Sequence, residues 1–127
     1  MSGHPIVHIE FSAANADEAG KFYRKMFDWE IQSWPEYNYA TFKPQEGPGG
    51  GFAIVDGLQY KTGDVVVYIS TEDLEGDLQK IAKAGGKTLL PRTAIDDNSW
   101  YAFFQDPFGN RVGLYTLSAA RDFGQPG

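Results

Sequence analysis

Two side chains near the amino terminus have the types and spacing of an acid–base pair. His8 and Glu10 lie two residues apart in Ile6 to Phe11, a segment with the pattern of a β-strand. Alternate residues of a strand point to the same face, so the imidazole and the carboxylate would project side by side and could act as general acid and base. The structural alternative is a buried pair, with Glu10 satisfied by a backbone, Tyr or Trp donor.

The strand that carries this pair begins a unit that occurs twice. Asn15 opens a helix pattern after the first strand, and Thr71 opens another after Val66-Val67-Tyr68-Ile69. Each helix has its middle apolar residue seven positions past the cap, at Phe22 and at Leu78. Strand patterns follow at 29–34, 38–43 and 51–55 in the first unit, and at 87–90, 99–105 and 111–116 in the second. The sequence therefore predicts an α+β fold of two βαβββ units, about residues 6–58 and 64–117.

The two helix patterns also predict which faces are apolar. The first helix has one apolar stripe, formed by Ala19, Phe22, Tyr23, Met26 and Phe27. The second is expected to bury Leu74, Leu78, Ile81 and Ala82 and to end at Gly85-Gly86.

Composition limits the classes of protein that this chain can represent. A length of 127 residues predicts a single domain, 1–127, with a loosely held tail at 118–127. The formal charge of −6 and the scattered Lys and Arg residues argue against a nucleic-acid partner. There are no cysteines, which excludes disulfides, thiolate metal sites and Cys nucleophiles. No signal pattern or 18-residue apolar run is present, so we expect a cytoplasmic protein with no membrane partner.

Several short sequence motifs occur in a familiar order. They are Ala19-Gly-Lys-Phe22-Tyr23 and Met26-Phe27-Asp28-Trp29 in the first unit, and Leu78-Gln-Lys-Ile81-Ala-Lys-Ala-Gly85-Gly86 and Asp106-Pro107-Phe108-Gly109-Asn110 in the second. With the βαβββ repeat, they resemble the vicinal oxygen chelate superfamily, which includes glyoxalase I, bleomycin-resistance proteins and extradiol dioxygenases. The resemblance implies cupped mixed sheets that enclose a cavity, often across a homodimer. In metal-dependent members it also implies four His, Glu or Gln ligands on the first and last strands of each unit.

The resemblance assigns those four ligand positions to particular residues of this chain. They fall on His8, on Val66, on Gly113 and on one residue between Gly49 and Val55, a segment that offers only Gly, Phe, Ala, Ile and Val. Three of the four positions therefore lack a side chain that can bind a metal. Divalent transition-metal sites ordinarily need at least three protein donors, so we expect no metal and no other cofactor.

Aromatic residues are expected to line the cavity that the resemblance implies. Gly51 and Gly113 would leave room in its wall for a planar guest, and Arg111 could be a charge partner for Glu10. The predicted pocket comprises His8, Glu10, Trp34, Tyr39, Val66, Tyr68, Trp100, Phe104, Arg111 and Gly113.

Three functions remain open at the level of sequence. The first is a protein with an incomplete metal site that binds a small apolar or aromatic molecule and forms a homodimer. The second is a lyase or isomerase of the glyoxalase type, either metal-dependent or working by acid–base chemistry through His8 and Glu10. The third is a structural or protein-interaction module whose cavity is filled by its own side chains.

Overall fold

A computed structural model describes residues 3–118 of the chain. The molecule divides into two compact units, one formed by Ile6–Val67 and the other by Tyr68 onward together with the segment that ends at Pro5. Residues 119–127, most of the predicted tail, lie outside the described residues. Among residues 3–118 there are two α-helices and eight β-strands, and each unit has the predicted order of one strand, one helix and three strands.

The first unit is a four-stranded mixed sheet with one helix. It comprises β1 (Ile6–Ala13), α1 (Ala16–Phe27), β2 (Glu30–Trp34), β3 (Tyr39–Lys43) and β4 (Gly50–Ile54). The strand order is β2-β3-β4-β1, in which β1 runs parallel to β4 and the other pairs are antiparallel. The predicted turn at residues 35–37 is a short 3₁₀-helix, closed by Asn38 in the left-handed conformation.

Helix α1 begins where the sequence predicts, because the Asn15 side chain accepts a hydrogen bond from the backbone N–H of Glu18. Its inner side meets an aromatic core in which Tyr23 stacks on Phe11 and on Trp29. The buried members of this core are Ala16, Ala40, Phe42 and Phe52. Only part of the apolar stripe is buried, because Phe22, Met26 and Phe27 are each at least half exposed.

The second unit repeats this arrangement. Its elements are β5 (Val65–Ser70), α2 (Leu74–Lys83), β6 (Lys87–Asp96), β7 (Ser99–Gln105) and β8 (Arg111–Thr116), and the boundary between the units falls within β5. The strand order is β5-β8-β7-β6. Here β5 runs parallel to β8, and the remaining pairs are antiparallel. Its core is formed by Leu74, Ala102, Phe104 and Leu114, with Leu78 and Ile81 packed against it.

The second helix differs from its prediction at its start and on its outer face. Its cap is Asp73, whose carboxylate accepts from the backbone N–H of Gly76, whereas Thr71 accepts from the N–H of Asp73 one step earlier. Ala82 is exposed. Strand β6 extends to Asp96, beyond the predicted residue 90, because its pairing with β7 continues through a series of register shifts. The predicted α+β fold of two βαβββ units is confirmed.

Candidate functional site

The two faces of strand β1 differ in character. One carries apolar residues that belong to the core of the first unit, and the other carries polar residues. Ile9 and Phe11 pack toward α1, so the alternation of the strand places His8 and Glu10 on the opposite face of the sheet. We call this surface of the first unit the helix-distal face. It carries His8, Glu10, Trp34, Tyr39 and Gly51, and thus all the predicted pocket residues from the first four strands.

A chain of hydrogen bonds links the polar side chains of this face. Tyr39 Oη lies 2.9 Å from His8 Nε2 and donates to Glu10 Oε2 at 2.8 Å. The phenol of Tyr60 donates to the other carboxylate oxygen, Glu10 Oε1. The direct distance between His8 Nε2 and Glu10 Oε2 is 3.6 Å. The predicted pair is therefore brought together, and Tyr39 lies between its members.

The protons of this chain follow from the chemistry of its groups. A phenol has one hydroxyl proton, and Tyr39 uses it to donate a hydrogen bond to Glu10. In the contact with His8, Tyr39 Oη is therefore the acceptor, and His8 Nε2 carries the proton and donates. Burial raises the pKa of Tyr39 far above its usual value, and the neighbouring Glu10 carboxylate raises this pKa further. Tyr39 therefore stays a neutral donor. The Glu10 side chain is 13% exposed and the His8 side chain 32%, so the imidazole is the more accessible end.

Gly51 has a structural role that differs from the predicted one. It lies opposite Glu10 on β4, and a Cβ atom at this position would come within 1.8 Å of Tyr39 Oη. The space that we expected for a planar guest is occupied by the phenol of Tyr39. The absence of a side chain at Gly51 thus lets the Tyr39 side chain extend from β3 over β4 and reach Glu10 on β1.

Tyr60 is a member of the site that no sequence pattern indicated. It follows a tight loop in which Asp56 Oδ1 accepts from the backbone N–H groups of Leu58, Gln59 and Tyr60. These backbone hydrogen bonds, that of Tyr60 foremost, lower the pKa of Asp56 below its usual value. Gly57 adopts positive φ in the same loop. An Asp-Gly pair is a recognisable turn signal, but such a local signal gives no information about which carboxylate the next tyrosine reaches.

The corresponding face of the second unit is aromatic. Tyr68 lies opposite Gly113, where a Cβ atom would come within 2.3 Å of the Tyr68 ring. Tyr68, Tyr101 and Phe103 are in mutual ring contact, and the Arg111 guanidinium lies 4.8 Å from the Phe103 ring centre. The predicted gap above Gly113 is therefore also filled, in this case by Tyr68.

Two predicted pocket residues, Phe104 and Trp100, lie on the face of the second unit's sheet that is opposite to the one with Tyr68. Phe104 is buried with Leu74 in the core beside α2. Trp100 shares its strand face by alternation and lies 5.2 Å from the Arg92 guanidinium. The aromatic residues that share a face with Tyr68 are instead Tyr101 and Phe103, because the β7 register places Phe103 opposite Gly113. Val66 is buried, two residues before Tyr68 on β5.

The residues at the predicted ligand positions do not fit a divalent metal ion. His8 is the only donor at those positions, since the others are Val66, Gly113 and an apolar segment of β4. Both oxygens of the nearby Glu10 already accept phenol hydrogen bonds. Within residues 3–118, no three His, Cys, Asp or Glu side chains lie together as a metal site would require.

An open depression of about 330 Å³ lies on the second unit. It is lined by the end of α2 and the turn before β8, including Gly85, Lys87, Gln105 and Asp106. It contains none of the predicted pocket residues. Among the described residues, neither helix is long and apolar enough to cross a membrane.

Comparison with known proteins agrees with the fold. A glyoxylase-like domain-containing protein from Didymella fabae is 27% identical over 118 residues, which are 87% of this chain and 92% of that protein. A putative glyoxylase CFP32 from Mycobacterium bovis is 24% identical over 123 residues, and the matched part is 43% of its length. The crystal structure of a glyoxalase/bleomycin resistance protein/dioxygenase superfamily member from Vibrio splendidus aligns with a TM-score of 0.65 at 14% identity, covering 89% of this chain and 98% of that one.

The family model of the same superfamily matches residues 5–114, which cover the first βαβββ unit, the second unit up to the middle of β8, and all four predicted ligand positions. The chain therefore belongs to the glyoxalase/bleomycin resistance protein/dioxygenase superfamily.

Proposed function

We propose that this chain binds a small apolar or aromatic molecule on the helix-distal face of its first unit, without a metal ion. The observation that carries the proposal is the hydrogen-bonded chain from His8 through Tyr39 to Glu10. A largely buried carboxylate held by two phenols is not needed by this fold, because the second unit has Tyr68 at the equivalent position. Such networks, with a strongly shifted pKa, are concentrated at functional sites.

The side chains of this face suggest the chemistry of the ligand. Trp34 and Tyr39, a directly opposed pair on β2 and β3, offer aromatic surface. His8, the more accessible end of the chain, offers a hydrogen bond to one polar group of the ligand. An aromatic molecule with a single hydroxyl group fits both features, whereas a metal-chelated pair of oxygens requires donors that this chain lacks.

The proposal is tested by titrating the protein with 2-naphthol and with naphthalene, in the presence of EDTA, while following tryptophan fluorescence. Trp34 lies on the helix-distal face, and its indole N–H donates to Thr41 Oγ1 at 3.4 Å, so we expect quenching that Trp34→Phe removes. His8→Ala should weaken 2-naphthol binding by about 3–10-fold, as the loss of one hydrogen bond predicts, and should leave naphthalene binding unchanged.

The chain provides a matched control for this experiment. His4 is the other histidine, and it lies in the second unit, 3.0 Å from Asp77. His4→Ala should alter neither titration. If neither compound binds at any concentration up to its solubility limit, the filled module is the better account of this face, and the ligand-binding proposal fails.

The same chain of hydrogen bonds favours a second candidate, acid–base catalysis of the lyase or isomerase type. A proton on His8 Nε2 has a continuous path through Tyr39 Oη to Glu10, so the imidazole could exchange protons with a bound substrate. Exchange of a carbon-bound proton of hydroxyacetone for deuterium in D₂O with EDTA would test this. We expect exchange to be lost in both His8→Ala and Tyr39→Phe. Exchange that persists in both variants would exclude this route.

A further inference from the structure

One end of the second unit's sheet carries two cations in register, with a glutamine between them. Lys87 on β6 lies opposite Gln105 on β7, and Gln105 lies opposite Arg111 on β8. Directly opposed residues of neighbouring strands share a face, so these three side chains form one row, which we call the cationic row. Neighbouring strands are about 4.8 Å apart, so the backbones of Lys87 and Arg111 are separated by only about 10 Å. Their long side chains can therefore meet at one ligand group.

The open depression of the second unit lies beside this row. Lys87 and Gln105 line it, together with Gly85, Gly86 and Gly109. The three glycines project no side chain into the space. Its volume of about 330 Å³ is at the small end of the range for small-molecule pockets, which is about 300–1,000 Å³. A small ligand therefore has room next to the cationic row.

The two cations are presented in different ways. The Arg111 guanidinium is partly buried and lies 4.8 Å from the centre of the Phe103 ring, a contact that orders it. Lys87 is exposed, and no carboxylate within residues 3–118 forms an ion pair with it. The row thus combines one ordered and one adaptable positive charge.

Asp106 is the acidic residue that lines the depression, and its carboxylate is engaged within its own turn. Oδ1 accepts from two backbone N–H groups of the turn between β7 and β8, and Oδ2 accepts from Asn110 Nδ2. These hydrogen bonds, that of the Asn110 side chain foremost, lower the pKa of Asp106 below its usual value. Asp106 therefore stays ionised, and the two positive charges of the row exceed this single negative charge.

The first unit shows that the fold does not require two cations at this end of a sheet. Its equivalent strands begin and end with Glu30, the first residue of β2, directly opposite Lys43, the last residue of β3. These two charges compensate each other. In the second unit Lys87 takes the place of Glu30, and the row contains no acidic residue, although the chain as a whole has a formal charge of −6. A local excess of positive charge attracts anions.

We propose that the cationic row and the adjoining depression bind the phosphate group of a small phosphate monoester. Arg111 can bind two phosphate oxygens with its planar fork, Lys87 supplies a point charge, and the Gln105 amide can donate a further hydrogen bond. Three donor groups match the three terminal oxygens of a phosphate monoester better than the two oxygens of a carboxylate. This site belongs to the second unit, and it does not depend on the function proposed for the first.

NMR titration tests the proposal at the residues that line the depression. Phenyl phosphate and inorganic phosphate are added at constant ionic strength while the backbone amide shifts of Gly85, Gly86 and Gly109 are followed. We expect saturable shifts with a dissociation constant on the order of 0.1–1 mM, an unmoved Gly51 amide, and at least threefold weaker binding of benzoate. If these three glycines show no saturable shift up to about 20 mM phenyl phosphate, the proposal is wrong.

Charge variants separate a specific site from a response to net charge. Lys87→Gln and Arg111→Gln should each weaken phenyl phosphate binding at least about fivefold, and Gln105→Glu should abolish it by placing a carboxylate in the row. Lys43→Gln removes the same charge from the first unit and should leave binding unchanged. Equal weakening by Lys43→Gln and Lys87→Gln would contradict the site. Lys87 is exposed, so its variant decides the matter even if Arg111→Gln disturbs the packing on Phe103.

Discussion

In the first unit, Glu10 lies opposite Gly51, and Tyr39 extends across the glycine to reach it; in the second, Tyr68 lies opposite Gly113 and covers that glycine with its own ring. The two units thus use one frame, a parallel pair of first and last strands with a glycine on the last strand. They differ in what fills the space above the glycine. In one unit this is a hydrogen-bonded polar chain, and in the other an aromatic cluster.

The location of the charged groups differs in the same way. In the second unit the strongest ion pair lies at the helix, where Arg92 Nε and Nη2 bind the Glu75 carboxylate at 2.7 and 2.8 Å. In the first unit the largely buried carboxylate, Glu10, meets its partners on the helix-distal face instead. The second unit therefore shows that the fold does not require a polar network on this face of the sheet. The hydrogen-bonded chain of the first unit is extra to the packing of the fold. This contrast is the basis for assigning the candidate site to the first unit.

The largest effect that would test this comparison is expected at Gly113. Gly113→Leu places a side chain where the buried Tyr68 ring already lies, so we expect a loss of at least about 3 kcal/mol in the free energy of unfolding, measured by urea denaturation. The double variant with Tyr68→Ala should recover part of this loss. Gly3→Leu, where an added Cβ meets nothing, is the control. A loss below about 1 kcal/mol would mean that the space above Gly113 is open.

An intermediate effect is expected from the phenols that contact Glu10. Tyr60→Phe removes one of the two donors to a buried carboxylate, and we expect a loss of about 1–3 kcal/mol in unfolding free energy. Tyr101→Phe in the aromatic face of the second unit is the matched change, and it should cost less than about 0.5 kcal/mol. Equal losses in chemical denaturation would show that the polar chain is no more sensitive than the aromatic cluster.

The smallest effect is expected from the ion pair of the second unit, and it should depend on pH. The hydrogen bonds from Arg92 lower the pKa of Glu75 below its usual 4.5 in the folded state. A lowered folded-state pKa contributes stability above the unfolded value and loses it as the pH falls through the folded value. Arg92→Met should therefore cost about 1 kcal/mol at pH 7, and the difference from the unsubstituted protein should shrink below pH 4.5. A difference that is constant from pH 7 to pH 3 would assign the effect to the contacts of Arg92 that do not titrate, with the Trp100 ring and with the Ser118 carbonyl.

Local patterns were enough to predict most of the fold. Asn15 caps its helix as its side chain dictates, and alternating strand residues placed His8 and Glu10 on one face. The missing metal donors could also be read directly, because no side chain at Val66 or Gly113 can bind a metal whatever the fold does. These features depend on one or two neighbouring residues, so the sequence contains them.

Other features depended on contacts between distant residues. The contribution of Tyr60 depends on a contact with Glu10, fifty residues away, and the face on which Trp100 and Phe104 lie depends on the register of β7 against β8. Alternation divided β7 into two faces but could not say which one meets α2. The two glycines were expected to leave room for a planar guest, but in the folded chain Tyr39 and Tyr68 fill that space.

The sequence by itself determined the repeat, the helix and strand types and the shortage of metal donors, because periodicity, capping and side-chain chemistry are local properties. The tertiary structure decided the hydrogen-bonded chain, the filling of the glycine gaps and the exposure of Phe22, Met26 and Phe27. Each of these depends on which side chains from distant parts of the sequence pack against a given position. Close packing in the folded chain decides this, and no pattern along the sequence encodes it.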